Sequence, residues 1–126
     1  MGQPVTLPFP ENDRNAYIYV ADLAEEIYRL SLKPSLAFRT YNTGGHTLSA
    51  VELAGLVKEI VPGAHISFSP DKPNSPFIYR MDDQRIRQEL GWLLRPMPEG
   101  IKAHIAEVQR RRSGHALPRV EKGGEV

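Results

Sequence analysis

Short extended runs alternate with stretches of helical apolar spacing along this sequence, and proline or glycine separates them. Apolar side chains at Val20, Leu23 and Ile27 predict a first helix over residues 21–32, which ends before Pro34. Short strands alternating with about four helices predict a small α/β domain, α+β-like in its proportions, around one core. The 126 residues are enough for one core and too few for two ordinary domains.

The other three helices are predicted from their end signals. Ser49 and Glu52 have the spacing of a capping box, so a second helix is expected to follow Ser49. Asp82 is the expected N-cap of a third helix that ends at Gly91, and Pro98 suits the first turn of a fourth. Strands are predicted over residues 37–42 and 65–69, with at most a short strand near Thr6. A short strand or bridge is predicted over residues 17–20, and a strand or an extended segment over residues 77–81.

The chain divides into three predicted regions. Residues 1–15 form an irregular, proline-containing segment, residues 16–112 form a single domain, and residues 113–126 form a flexible polar tail. The N-terminus has no basic region followed by an apolar run, so a secretory signal is not expected.

Composition excludes several classes of function. The chain has no cysteine, which excludes disulfides, thiolate metal sites and cysteine nucleophiles. Sixteen basic and fifteen acidic residues give a net charge of +1, which predicts no bulk attraction to nucleic acid or to acidic partners. No apolar stretch reaches about 18 residues, so no membrane span is expected. The expected location is the cytoplasm.

The residues by themselves predict no catalytic set and no metal site. The four histidines include no pair with helical i, i+4 spacing. The Arg110–Arg112 cluster either contacts nucleic-acid phosphates or closes a helix C-terminus, and the absence of a nucleic-acid-binding signature favours the helix end. Gly44 and Gly45 indicate a turn rather than a phosphate cradle. Glu25 and Glu26 are adjacent, so they do not face one another on a helix.

Three segments occur in the order typical of one enzyme family. They lie at residues 17–24, at residues 41–53 with their Tyr-Asn-Thr-Gly-Gly turn, and at residues 81–101 with Glu-Leu-Gly-Trp. Over about residues 5–110, the sequence resembles the C-terminal, substrate-binding portion of the extended short-chain dehydrogenase/reductases, the NAD-dependent epimerases and dehydratases of nucleotide sugars. The resemblance implies a substrate-lobe-like domain to whose core Trp92 supplies a large apolar area.

The N-terminal Rossmann lobe of that family has no counterpart in this sequence. Its glycine fingerprint is missing, and none of the five tyrosines is followed four positions later by lysine, so the family's catalytic Tyr-x-x-x-Lys pattern is missing too. We therefore expect no catalytic residues, no cofactor-binding residues and no metal in this chain. NAD is expected only if another chain supplies a Rossmann lobe.

The resemblance also implies positions for substrate contacts. Asn15, with Arg14 beside it, stands where the family's epimerases have an arginine that touches the nucleotide. Lys72 stands where they have an arginine that binds pyrophosphate, and lysine keeps the charge but loses the bidentate fork. We therefore predict Lys72, Arg14 and Asn15 as candidate substrate-binding residues. The alternative, that Lys72 is a solvated loop lysine, stays open.

Three functions are compatible with these expectations. The chain is a binding module for a nucleotide sugar or another phosphorylated ligand, or a structural protein that oligomerises through the face left by the missing lobe. A homodimer is the simplest such assembly, because a symmetric contact covers the same patch on both copies. The third function is an enzyme subunit completed in trans by a Rossmann-bearing chain. Binding to nucleic acid is not expected.

Overall fold

A computed structural model describes residues 3–77, 79–91 and 94–114 of the chain. It has mixed α/β architecture, as predicted. The elements in chain order are β1 (Val5–Thr6), β2 (Arg14–Tyr17), α1 (Val20–Ser31), β3 (His46–Ser49), α2 (Ala50–Ile60), β4 (Ile66–Ser67), α3 (Gln84–Leu90) and α4 (Met97–Arg112).

Two strand pairs connect distant parts of the chain. β2 pairs antiparallel with β3, so that Arg14 lies opposite Ser49 and Tyr17 lies opposite His46. β1 pairs in parallel with β4, with Val5 opposite Ile66. The predicted boundary between residues 15 and 16 therefore lies inside β2, and the division of the chain into regions stays a prediction.

The four predicted helices are present, and their end signals explain their limits. Helix α1 agrees within one residue at each end with the predicted range. The capping box is confirmed, because Ser49 Oγ accepts from Glu52 N at 3.2 Å and Ser49 N donates to Glu52 Oε2 at 3.0 Å. Gly91, with a φ of 60°, closes α3, and Pro98 lies in the first turn of α4.

The cap of α3 differs from the prediction by one residue. Asp83, and not Asp82, occupies the N-cap position. The Asp82 carboxylate still serves this end of the helix, because its Oδ1 accepts from the backbone N of Gln84 at 3.0 Å.

Two of the predicted strands are wrong in position or absent. Residues 37–42 are not a strand; there, Phe38 N donates to the Tyr41 hydroxyl at 3.0 Å instead of to a neighbouring strand. The strand predicted at residues 17–20 lies earlier, at Arg14–Tyr17, because α1 begins at Val20. Of the two alternatives for residues 77–81, the strand is not formed by the described residues, and the Tyr79 carbonyl accepts from the Thr47 side chain. The strands near Thr6 and within residues 65–69 are confirmed.

The apolar core of the described residues is small. Only four apolar side chains in this part of the chain are fully buried, namely Ala50, Ala54, Ile86 and Ile101. Asp13, Asp22 and Glu26 are buried to the same degree. Trp92, which the resemblance places in the core, lies outside the described residues. Polar contacts therefore hold many of the elements of this fold in position.

Helix α1 is oriented with its acidic side inward. Asp22 and Glu26 are buried, whereas Val20 and Ile27, whose spacing predicts the helix, are 66% and 60% exposed. Arg95, which precedes α4, explains this orientation: its Nε donates to Asp22 Oδ1 at 2.7 Å, and its backbone N donates to Asp22 Oδ2 at 3.3 Å. A buried carboxylate needs such partners, so the ion pair fixes which side of α1 faces the protein.

Replacing Gly44 with alanine is expected to destabilise the fold. Gly44 has a φ of +79°, and a Cβ there would lie 2.6 Å from Asp83 Oδ2. A side chain in this backbone region costs about 1–3 kcal/mol before any contact is displaced. We expect Gly44→Ala to lower the free energy of unfolding by at least about 1 kcal/mol, measured by urea denaturation.

The matched control is Gly55→Ala in the interior of α2. A Cβ at Gly55 would meet nothing within 4 Å, and alanine is favoured over glycine in a helix by about 1 kcal/mol. Gly55→Ala should therefore raise the free energy of unfolding. Equal effects of the two substitutions would contradict the account of Gly44.

Candidate functional site

An open cleft of about 290 Å³ lies beside β2. Arg14, the first residue of β2, lines one side of it. The end of the proline-rich loop at residues 70–76, with Phe77 and Tyr79 after it, lines the other side. The guanidinium carbon of Arg14 lies 5.7 Å from the centroid of the Tyr79 ring. Phe77 and Tyr79 are 70% and 50% exposed. The cleft thus combines one cation with two accessible aromatic rings.

A buried carboxylate attaches the loop to β2. Asp13 is 1% exposed, and its oxygens accept from Ser75 N at 2.5 Å and from Ser75 Oγ at 2.7 Å. Asn15 Nδ2 donates to Asp13 Oδ2 at 3.0 Å. Hydrogen bonds to a charged acceptor are about twice as strong as neutral ones, so Asp13 holds the loop close to Arg14.

The three sequence-predicted site residues do not converge on one point. Arg14 lines the cleft. Asn15 lies on β2 but is not among the lining residues, and its amide is bonded to Asp13. Lys72 is exposed in the loop, its backbone N donates to Ser69 O at 3.1 Å, and it too lies outside the cleft lining. A role of these three residues in ligand binding stays a prediction.

Sequence reasoning missed Asp13, Ser75 and the two aromatic rings. Phe77 and Tyr79 are two residues apart, and in an extended segment this spacing places both rings on one side. That signal was readable in the sequence. The bonding of Asp13 to Ser75 was not readable, because it joins residues that are 62 positions apart.

A second polar cluster lies under α1. Glu26 is 3% exposed, and its Oε2 has no hydrogen-bond partner in the part of the chain that the structure describes. Asp83 pairs with Arg87, from Nε to Oδ1 at 2.9 Å, and Asp22 pairs with Arg95. Burial, followed by the negative charges of Asp83 and Asp22, raises the pKa of Glu26 to about 7.

The sequence carried a signal for this cluster in the spacing of Asp22 and Glu26. They are four residues apart, which places both on one side of a helix. The adjacent Glu25 does not belong to the cluster, because its carboxylate pairs with Arg29 Nε at 2.9 Å. Among the described residues, no group of three or more histidine, aspartate or glutamate side chains could hold a metal ion.

An apolar groove of about 400 Å³ runs between β2, α2 and α4. Leu53 and Val57 line it from α2, and Ile101 and Ile105 line it from α4. Val20, at the start of α1, lies at its edge. The groove offers apolar contact and few polar groups, so it lacks the chemistry that would hold a phosphate.

The three consecutive arginines, Arg110 to Arg112, lie at the C-terminal end of α4. Arg110 and Arg111 both pair with Glu107, at 2.5 Å and 2.9 Å. All three arginines lie in the last turn, where cations complement the helix dipole. The helices in the described residues are too short or too polar to span a membrane.

No family model matches the sequence. Curated relatives match most of this chain but only part of their own length. The dTDP-glucose 4,6-dehydratase of Salmonella typhimurium is 31% identical over 115 residues, which is 82% of this chain and 32% of that protein. The enzyme of the same name from Neisseria meningitidis serogroup B is 30% identical over 104 residues, 71% of this chain and 29% of that protein. The chain therefore spans about a third of the length of these relatives.

Solved structures show the same relation in three dimensions. The GalE-like L-threonine dehydrogenase from Cupriavidus necator superposes with a TM-score of 0.72 at 24% identity, over 86% of this chain and 41% of that one. The UDP-glucuronic acid 4-epimerase from Bacillus cereus, solved with UDP-glucuronic acid and NAD, gives a TM-score of 0.71 at 14% identity, over 86% of this chain and 36% of that one. At this level of identity the likeness shows the fold.

The resemblance predicted from the sequence is confirmed. The chain corresponds to one part of the proteins of the NAD-dependent epimerase/dehydratase family. Its fold matches the C-terminal portion of the short-chain dehydrogenase/reductase fold.

The raised pKa of Glu26 predicts a pH-dependent stability. The folded protein holds this proton with a pKa of about 7, against 4.5 for an ordinary glutamate. The stabilisation is therefore fully present below about pH 4.5 and is lost as the pH rises through 7. Glu26→Gln should raise the free energy of unfolding at pH 8 by on the order of 2 kcal/mol and flatten its decline between pH 5 and pH 8.

Urea denaturation at pH 5, 6, 7 and 8 measures this effect. Glu59→Gln, at an exposed position of α2, is the control and should keep the wild-type pH dependence. The account of the buried carboxylate fails if both variants change with pH as the wild type does.

Proposed function

We propose that this chain is a substrate-binding domain that holds a nucleotide-sugar-type ligand in the cleft beside Arg14. The observation that carries the proposal is the exposed Arg14 guanidinium beside the ring of Tyr79, in a cleft of about 290 Å³. The groove between α2 and α4, by contrast, is lined mostly by apolar side chains. A diphosphate needs a cation, which favours the cleft over this groove.

The residues of the cleft suit the two ends of such a ligand. Arg14 matches a phosphate oxygen pair with its planar fork. Phe77 and Tyr79 offer exposed ring faces, which can stack on a nucleobase regardless of its identity. In this proposal Lys72 adds positive charge from the loop, and Asn15 acts by orienting Asp13.

The names of the relatives support this class of ligand. Two curated relatives are dehydratases of dTDP-glucose, and one solved neighbour contains UDP-glucuronic acid. Both compounds are sugars joined to a nucleotide through a diphosphate. We extend that chemical class, and not a particular sugar, to this chain, and we place the protein in the cytoplasm as part of the same proposal.

Completion by a second, Rossmann-bearing chain is the second candidate function. The observation in its favour is that the chain spans about a third of the length of its curated relatives. One solved neighbour holds NAD together with its sugar nucleotide. In this candidate the other chain brings NAD and the proton relay, while this domain alone binds the sugar nucleotide and performs no hydride transfer.

A thermal-shift titration tests the first candidate. We expect dTDP-glucose or UDP-glucuronic acid to raise the melting temperature of the chain, and NAD to leave it unchanged. A ligand at 100 times its dissociation constant adds about 2.7 kcal/mol to the free energy of unfolding, which the method detects readily. A rise with NAD alone would contradict the proposal.

Variants at the cleft locate the binding site. Arg14→Glu should weaken the affinity for the responding nucleotide sugar at least tenfold, because it replaces a charge-assisted hydrogen bond by a repulsion. Lys72→Glu should weaken it less. Lys102→Glu, at an exposed position of α4, makes the same charge change outside the cleft and should have no effect. Calorimetric titration gives all three affinities, and an unchanged affinity in Arg14→Glu would place the ligand elsewhere.

A further inference from the structure

A second groove, of about 760 Å³, runs along β4. Ile66 and Ser67 line it from β4, followed by Phe68, and Val51 and Lys58 line it from α2. Neither residue of β1 lines it, which places the groove on the side of β4 away from β1. Its volume lies within the range of ligand-binding pockets. We call it the β4 groove.

The strand that borders this groove has an open edge. The carbonyls of His65 and Ser67 accept from backbone N–H groups of the β1 segment, both at 2.9 Å. Alternate residues of a strand direct their backbone groups to opposite edges, so those of Ile66 and Phe68 face away from β1. β4 has no second neighbour among the described strands. The β4 groove therefore offers unpaired backbone donors and acceptors.

The two ends of the β4 groove carry opposite charges. Lys58 lies in the last turn of α2, whereas the carbonyl of Glu11 accepts from Val51 N, in the first turn, at 3.0 Å. The seven residues from Val51 to Lys58 span about 10 Å along the helix. Within the described ranges, neither Lys58 nor Glu11 forms an ion pair. Both charges are thus available to a bound molecule.

We propose that the β4 groove is a docking site for an extended peptide segment of another protein, which adds a strand to β4 and places an acidic residue toward Lys58 and a basic residue toward Glu11. In this mode of recognition, main-chain hydrogen bonds supply affinity and side-chain contacts supply specificity. Four positions of an extended chain span about 13 Å and bring two side chains to the same side. The two charges of the segment are therefore about four positions apart, with apolar residues between them.

The groove suits one extended strand better than it suits a small anion or a second copy. A phosphate ion near Lys58 gains one attraction, but it leaves the backbone edge of β4 unused and meets the negative charge of Glu11. The β4 strand of a second copy is bordered by its own α2, which would have to enter the same groove. A peptide segment brings the backbone edge and both charges without a second helix.

A phage-displayed library of short random peptides tests the proposal on the full chain. Selection should enrich peptides with an acidic and a basic residue about four positions apart and apolar residues between them. The enriched peptide is then synthesised in two versions, each N-methylated at alternate residues. The version that loses the N–H groups facing β4 should bind at least tenfold more weakly than the other, measured by fluorescence anisotropy. No enrichment, or equal binding of the two versions, would overturn the proposal.

A charge exchange locates the peptide in the groove. Lys58→Glu should weaken the binding of the selected peptide about tenfold, because it replaces an attraction by a repulsion. A peptide whose acidic residue is replaced by lysine should regain affinity for this variant. Lys102→Glu, at an exposed position of α4, is the matched control and should bind the peptide as the wild type does. Failure of the exchange to restore affinity would overturn the role of Lys58.

Light scattering without peptide tests a second copy as the occupant. We expect Lys58→Glu to have the same mass as the wild type at every concentration, because the groove is not a contact between copies. A wild type that self-associates and loses this association in Lys58→Glu would overturn the proposal in favour of a second copy.

The peptide site and the nucleotide-sugar cleft fail independently. Among the described residues, their linings share only Asn12. Lys58→Glu should keep the nucleotide-sugar affinity of the wild type within about twofold, and Arg14→Glu should keep its peptide affinity to the same degree. Loss of both affinities in either variant would overturn the assignment of two separate sites.

Discussion

The ion pair between Arg95 and Asp22 determines how the rest of this domain is arranged. It lies across two segments far apart in the chain and holds the acidic side of α1 inward. The same arginine lies over the ring of Tyr19, at 4.8 Å from its guanidinium carbon, and its carbonyl lies 2.9 Å from Nε2 of His46. Helix α1, β3 and the approach to α4 thus meet at one residue. The orientation of α1 then leaves its apolar side facing outward.

Buried carboxylates hold segments of this domain together, which in most domains is done by apolar packing in the core. Asp13 anchors the proline-rich loop through Ser75, as Asp22 anchors α1 through Arg95. Charge-assisted hydrogen bonds are directional, so they position a cleft more narrowly than apolar packing does. Glu26 is the exception, because its buried Oε2 lacks a partner among the described residues and the group retains its proton up to about pH 7. The domain is thereby more stable in mild acid.

Local signals in the sequence predicted the helices well and the strands less well. The capping box at Ser49 and the left-handed Gly91 act within a few residues, so their patterns are readable from the chain itself. The strand predicted at residues 37–42 is not formed, because no strand among the described residues pairs with this segment. The apolar spacing around Ile27 predicted a helix correctly but not its orientation. That orientation depends on Arg95, which follows much later in the chain. Of the site, the sequence predicted that Arg14 takes part, and Arg14 does line the cleft. The contacts between β2 and the distant loop that form the cleft could not be predicted from the sequence.

The most direct test of the central claim follows backbone amide signals by NMR during addition of dTDP-glucose. The substrate-binding account predicts that the signals of Arg14, Ser75, Phe77 and Tyr79, which line the cleft, shift in a saturable way. The signals of α4 far from the cleft should stay in place. Saturable shifts confined to the groove between α2 and α4, or no shifts at millimolar ligand, would contradict the claim that this cleft binds a nucleotide sugar.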